Sequence, residues 1–204
     1  MRKIFSIIAA AAIVGVSMSA CSSTTQENTA EQAPTAIEQK APPATTSAQP
    51  DTIKKSIPSQ AEGTIGQAAI TINYHAPGVR GRVIWGGLVP YDQVWVTGAH
   101  KATSVTFTKG VTIDGKEVAA GTYALFTIPG REEWTIILNK DFEQHLADDY
   151  DQKEDVLRVK VKPQALTQNQ ERLKYGIEGG TGTTGAITIR WEKLKVSLPV
   201  STQR

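Results

Sequence analysis

Hydrophobic and polar residues alternate along most of the C-terminal two thirds of the chain. The period of two is clearest in segments 70–75, 104–108, 157–162 and 187–191. Aliphatic or aromatic residues occupy every second position there, which is the pattern of a strand with one face buried. Asp114-Gly115 separates two such runs and is a strong signal for a two-residue hairpin turn. The pattern therefore predicts strands joined by tight turns.

These runs predict an all-β domain over residues 63–204, an antiparallel β-sandwich of about eight to ten strands. Segment 139–150 breaks the alternation. Asp141 followed three residues later by Gln144 has the spacing of a capping box, which predicts one short helix near 141–147. On a helix, Asp141, His145 and Asp149 would lie on one side.

The N-terminus has a different pattern. Arg2 and Lys3 precede an apolar run at 4–16, which is typical of a signal peptide and shorter than the roughly 20 residues that span a bilayer. Met18-Ser19-Ala20-Cys21 follows and resembles the lipobox of bacterial lipoproteins. We therefore interpret residues 1–20 as a lipoprotein signal peptide. The resemblance implies that Cys21 becomes the N-terminus, carries diacylglycerol and a further acyl chain such as palmitate, and anchors the protein to a membrane.

Residues 21–62 are predicted to form the lipidated cysteine and a disordered tether. The segment from Ser22 to Glu62 has five prolines and seven threonines and no aromatic residue, so it has too little apolar surface to offset its ordering entropy. Ser22-Ser23 lacks the aspartate associated with retention in the inner membrane. We expect a cell-envelope protein at the periplasmic face of the outer membrane.

Composition narrows the range of partners. The chain has 22 Lys+Arg and 20 Asp+Glu, and the two excess positive charges are Arg2 and Lys3. Without the signal peptide the charge is balanced, which argues against a nucleic-acid-binding surface. Cys21 is the sole cysteine, so a disulfide framework is excluded.

Several long motifs resemble one bacterial family. They are GRVIWGGLVPYDQVWVTGAHKAT at 81–103 and the later AGTYALFTIPG, EWTIILNK, LADDYD and DVLRV. Together they resemble the family designated domain of unknown function 2911, over roughly residues 70–200. Its members are typically exported bacterial proteins, and no reaction is attached to the family. Many members have arginine where this chain has Val96, so a role of that arginine does not transfer.

Three histidines are candidate metal ligands. His75 ends a predicted strand, His100 lies in a loop, and His145 lies on the predicted helix with Asp149 nearby. Strand ends and loops on one rim are where sandwich domains build sites. Three imidazoles and a carboxylate suit Zn(II), Cu(II) or Ni(II), and a metal-bound water would suit hydrolysis. The alternative is that the histidines are hydrogen-bonded rim residues.

Aromatic residues supply a second candidate site. Trp85 and Trp95 lie near glycines and are candidates for stacking on a sugar ring, whereas Trp134 and Trp191 are in phase with inward aliphatic residues and are expected in the core. Three hypotheses follow. We favour a lipid-anchored, non-enzymatic domain that binds a ligand, a metal ion or an envelope protein; the alternatives are a metal-dependent hydrolase and a carbohydrate-binding module.

Overall fold

The computed structural model describes residues 51, 53–180 and 182–203, in which ten β-strands form two antiparallel sheets. The predicted signal peptide, Cys21 and the predicted tether up to residue 50 lie outside the described residues. The strands are β1 (Ile57–Ile65), β2 (Ala68–Ala76), β3 (Ser104–Phe107), β4 (Val111–Ile113), β5 (Lys116–Val118), β6 (Gly121–Ile128), β7 (Trp134–Asn139), β8 (Asp155–Val161), β9 (Gln164–Gly179) and β10 (Thr184–Ser201).

The strand order is β1-β2-β3-β6-β7-β8 in one sheet and β5-β4-β10-β9 in the other. The predicted antiparallel β-sandwich is confirmed. Among the described residues, no helix is long and apolar enough to cross a membrane.

One hydrophobic core fills the space between the sheets. The inward positions of β2 are Ile70, Ile72 and Tyr74, and they alternate with the partly or fully exposed Thr71 and Asn73. This period of two follows from the pleat, which points successive side chains to opposite faces. Trp134 and Trp191 are both fully buried in this core, as expected from their phase.

The six-stranded sheet is also covered on part of its outer face. Ala124, Phe126 and Ile137 point away from the main core but are fully buried. The loop before β3 covers them, since Trp95 and Thr127 exchange backbone hydrogen bonds of 2.8 and 3.0 Å. This cover carries the candidate site residues.

Turns occur where the sequence predicts them. Asp114 and Gly115 both have positive φ, at 51° and 73°, and join β4 to β5. Positive φ at both central residues is the requirement of a type I′ turn, which suits the twist of a hairpin. Pro129-Gly130 lies in the connection between β6 and β7.

The folded domain begins earlier than residue 63. Strand β1 starts at Ile57, so residues 57–62 belong to the sheet and not to the tether. Its inward positions include Ser59 and Ala61, which produce no apolar alternation. Small residues are needed because a Cβ on Gly63 would lie 2.8 Å from the Cβ of Ile177 on β9. The boundary at 62/63 is therefore corrected.

The predicted helix at 141–147 is wrong. Residues 141–144 are irregular, His145 forms a β-bridge, and a turn begins at Leu146; the helical turn nearby is a 3₁₀ turn at Gln152–Glu154. The segment pairs instead with the loop before β3, since Ala102 N–H donates to the Gln144 carbonyl at 2.9 Å and Leu146 N–H to the His100 carbonyl at 2.6 Å. Leu146 also has a φ of 53°, which no α-helix contains.

Candidate functional site

A cavity of about 550 Å³ lies on the outer face of the six-stranded sheet. We call it the rim cavity. Strands β1, β2 and β3 form one wall and segment 142–145 forms the other. Its volume is in the range of small-molecule sites. The polar groups that line it include Ser59, Asn73, His75, Lys101, Ser104 and Gln144.

Backbone pairing positions the two walls. The register places Asn73 opposite Ser104 on neighbouring strands, so both point to the outer face. Lys101 and His145 form an isolated antiparallel bridge, which fixes the 142–145 wall against the loop before β3. Gln60 Nε2 donates to Asn73 Oδ1 at 2.9 Å and so orients the Asn73 amide.

Gln144 carries the most informative atom of the rim cavity. Its side chain is 5% exposed, and Nε2 donates to the Asp141 carbonyl at 2.8 Å. Its Oε1 atom is buried and has no hydrogen-bond partner among the described residues. A buried acceptor without a donor costs about 1–3 kcal/mol of folding free energy, which a donor on a bound molecule would offset.

Phe142 adds an apolar surface to the same wall. It lines the rim cavity and is 37% exposed. A partly exposed aromatic face beside several hydrogen-bonding groups is an arrangement that holds an amphipathic ring.

The structure brings His75 and His100 together. Their ring centroids lie 5.3 Å apart at an interplanar angle of 81°. The φ of His100 is 65°, a left-handed conformation in which histidine is enriched among non-glycine residues. His145 also lines the rim cavity, but its Nδ1 lies 3.4 Å from Asp148 Oδ2. Of the three predicted histidines, the structure therefore brings His75 and His100 into ring contact.

The predicted metal group is not assembled. Within residues 51, 53–180 and 182–203, no group of three or more His, Cys, Asp or Glu side chains has the geometry to hold a metal ion. Asp149 was expected one helical turn after His145; without the helix, Asp148 is the acidic partner of His145. Zn(II), Cu(II) or Ni(II) binding by His75, His100, His145 and Asp149 stays a prediction.

Burial is the main cause that lowers the pKa of His75 below its usual value of 6.5, and the nearby His100 and Lys101 side chains lower it further by repulsion of positive charge. The unfolded chain therefore takes up this proton first as the pH falls. We expect the free energy of unfolding to decrease below about pH 6.5, with no effect of His75 at higher pH. Urea unfolding at neutral and acidic pH measures this, and His75→Gln should reduce the decrease.

His145→Gln is the matched control because the His145 side chain is 66% exposed. It should leave the acid-dependent loss of stability largely in place. If His145→Gln and His75→Gln reduced the acid-dependent loss of stability equally, the assignment of that loss to His75 would be contradicted.

The far end of segment 140–151 is held by a polar network. Asp155 Oδ2 accepts hydrogen bonds from the Tyr150 hydroxyl at 2.7 Å and from Arg158 at 2.8 Å, and Oδ1 accepts from Asn139 at 2.8 Å. Burial and the Asp155 carboxylate raise the pKa of Tyr150 to about 12, so its hydroxyl remains a donor. This network fixes the segment that forms the second wall of the rim cavity.

Tyr175 of β9 holds the loop before β3 from the side of the core. The Tyr175 hydroxyl is fully buried and donates to the Thr97 carbonyl at 2.9 Å, and the Thr103 hydroxyl donates to the same carbonyl at 3.1 Å. Burial raises the pKa of Tyr175 well above its usual value of 10, so the bond persists at any physiological pH.

Trp85 and Trp95 do not form an exposed stacking platform. Trp95 stacks on the buried Trp191 with centroids 5.6 Å apart, and Trp85 lies edge-on to Trp134 at 4.8 Å. Both are partly buried against the main core. The four tryptophans therefore form one packed cluster, and only Trp95 and Trp191 also line a second cavity, of about 360 Å³.

Sequence reasoning missed Gln144, Phe142, Asn73 and Lys101 as site residues. Gln144 was interpreted as part of a helix cap, and nothing in the local pattern distinguishes it from a surface glutamine. The position of Gln144 in the cavity wall is visible only in the folded structure, because the bridge between Lys101 and His145 creates this second wall.

Comparison with known proteins identifies the family. A family model described as "Protein of unknown function (DUF2911)" matches residues 56–200, and the chain belongs to this family. The matched range includes β1, in agreement with the corrected start of the domain. Neither a curated protein nor a solved structure matches the chain.

Proposed function

We propose that this family member is a lipid-anchored domain of the cell envelope that binds a small polyhydroxylated ligand, of the carbohydrate class, in the rim cavity. The observation that carries the proposal is the buried, unpartnered Oε1 of Gln144. Gln144 lines the rim cavity, and a sugar hydroxyl there is a donor that also accepts.

The rest of the rim cavity suits the same ligand. Asn73 and Ser104 supply neutral amide and hydroxyl groups, which match hydroxyls more closely than a metal ion. Phe142 presents an aromatic face to the apolar side of a ring. We therefore propose the rim cavity, and not Trp85 and Trp95, as the carbohydrate site.

The anchor is supported by sequence alone. The apolar run at 4–16 followed by the lipobox-like Met18-Ser19-Ala20-Cys21 supports lipidation of Cys21. Ser22-Ser23 supports the periplasmic face of the outer membrane. The membrane is then one partner of the protein, through its acyl chains, and an envelope carbohydrate is the other.

Binding is tested by calorimetry on the purified full-length lipoprotein in detergent, with glucose, N-acetylglucosamine and glucuronic acid as probes. We expect at least one of them to bind. Gln144→Met, which keeps the length of the side chain, should weaken that binding by about 3- to 10-fold through loss of a hydrogen bond. Phe142→Ala should weaken it by a similar factor through loss of the aromatic face.

Gln168→Met on β9 is the matched control, since this glutamine is exposed and does not line the rim cavity. It should leave the affinity unchanged. The proposal fails if none of the three sugars binds, or if Gln168→Met weakens binding as much as Gln144→Met does.

A further inference from the structure

Arg172 fastens the first described residues to the domain. Its guanidinium forms an ion pair with the Asp51 carboxylate and donates to the carbonyls of Ile53 at 2.6 Å and Lys55 at 2.9 Å. A further bond of 2.9 Å reaches the Ala76 carbonyl at the end of β2. The chain that leads back toward Cys21 therefore joins the domain at this place.

Exposed apolar side chains occur both in the attached segment and in the loop at 80–88. Val83 is 74% exposed, Ile53 49% and Leu88 46%, the three highest values among the large hydrophobic residues described. Leu88 N–H donates to the Val83 carbonyl at 3.0 Å, so these two residues are neighbours. Arg80 donates to the Lys54 carbonyl and thereby joins the Ile53 segment to the Val83 loop.

The same surface is positively charged. Lys54, Lys55 and Arg80 are exposed, and the sequence has no acidic residue from 63 to 91. Asp51 is neutralised by its ion pair with Arg172. Glu171 Oε1 accepts from the backbone N–H of Arg80 at 2.8 Å, so one carboxylate stands against the three cations. We call this combined surface the basal patch, formed by Ile53, Lys54, Lys55, Arg80, Val83 and Leu88.

We propose that the basal patch rests on the anionic lipid surface of the membrane that holds the anchor. Apolar side chains that enter the headgroup region, ringed by lysine and arginine that attract anionic lipid, are the combination that holds proteins at a membrane interface. The proposal rests on the proposed lipid anchor, because an acylated Cys21 brings this surface to the membrane at high effective concentration.

Docking would also give the rim cavity a defined orientation. The basal patch lies where the segment after Asp51 joins the domain. The rim cavity is built from the outer face of β1, β2 and β3 and from segment 142–145. A domain held by both an acyl anchor and the basal patch presents its ligand site in one direction, instead of sampling all orientations.

A fluorescence experiment on the full chain tests the patch. Cys21 is the sole cysteine, so Cys21→Ser combined with Val83→Cys gives one labelling site for an environment-sensitive dye. The matched control combines Cys21→Ser with Val156→Cys, an exposed valine of β8 outside the patch. Both proteins are mixed with vesicles of phosphatidylcholine containing phosphatidylglycerol, with or without brominated acyl chains.

We expect a blue shift and quenching by brominated lipid at position 83 and neither at position 156. Neither protein carries acyl chains, so the difference between the two probes reports the patch itself. Lys54→Glu with Lys55→Glu should lower the ratio of docked to undocked protein by roughly 25-fold or more, since each lysine near an anionic surface contributes about a fivefold factor.

Equal signals at positions 83 and 156 would overturn the proposal, as would an undiminished signal at position 83 on pure phosphatidylcholine. If the patch contacts a protein partner instead of lipid, the signals at positions 83 and 156 should be equal. The lipid anchor is removed in both proteins, so failure here leaves the role of Cys21 to be decided separately by fractionation.

Discussion

Replacing Cys21 with serine should move most of the protein from the membrane fraction to the soluble envelope fraction. Two or three acyl chains hold a protein far more firmly than any other membrane-binding feature of this sequence, and each buried methylene contributes about 0.8 kcal/mol. The basal patch alone gives weak, charge-dependent binding, because its contribution is screened by salt. Cell fractionation followed by immunodetection measures the shift.

Ser22→Ala is the control, since it alters the neighbouring residue and leaves the thiol in place. It should stay in the membrane fraction. If a fraction of the Cys21→Ser protein stays on the membrane and high salt releases it, that fraction reports binding by the basal patch. Membrane association of both variants that persists after a high-salt wash would contradict lipid anchoring.

The alternation of apolar and polar residues was sufficient to predict the sandwich. Strands such as β2 and β10 bury one face in the core, so their sequence records the period of two directly. The turn at Asp114-Gly115 was predictable for a local reason, since both residues adopt positive φ at low cost.

Strand β1 was missed because its packing demands small residues. At the edge of the sheet it approaches β9 so closely that Gly63 has no room for a Cβ beside Ile177. A strand whose inward positions are Ser59, Ala61 and Gly63 has the composition of a linker. The tether and the first strand are therefore indistinguishable by composition alone.

The false helix has a different physical cause. The capping-box spacing of Asp141 and Gln144 is a local preference, worth about 1 kcal/mol, and tertiary pairing overrides it. Two long-range backbone hydrogen bonds compete with it, and together they form the bridge between Lys101 and His145. Asp149 was lost as a candidate ligand partner for the same reason.

The candidate site was predictable only in part. Strand ends and loops on one rim correctly indicated that His75 and His100 would meet, and their rings are in contact. The second wall depends on where segment 142–145 lies, which no local pattern determines. Gln144 therefore became informative only once its burial and its unpartnered oxygen were known.

Truncating Trp191 to alanine should cause the largest loss of stability of any change considered. The side chain is 1% exposed, stacks on Trp95 at 5.6 Å and lies edge-on to Trp85 at 5.8 Å. Removing a buried indole costs about 3–5 kcal/mol, because neighbouring groups only partly fill the space left. For a domain of this size that corresponds to a fall in the melting temperature of about 10 to 15 °C.

Thermal unfolding followed by circular dichroism measures the effect, and sugar titration of the same variants separates packing from binding. Trp191→Phe should lose much less stability because the ring still fills most of the site. Phe142→Ala should have the opposite profile, with the melting temperature nearly unchanged and the sugar affinity reduced, since Phe142 is partly exposed in the rim cavity. A Trp191→Ala protein that kept its melting temperature but lost sugar binding would return the ligand site to the tryptophan cluster.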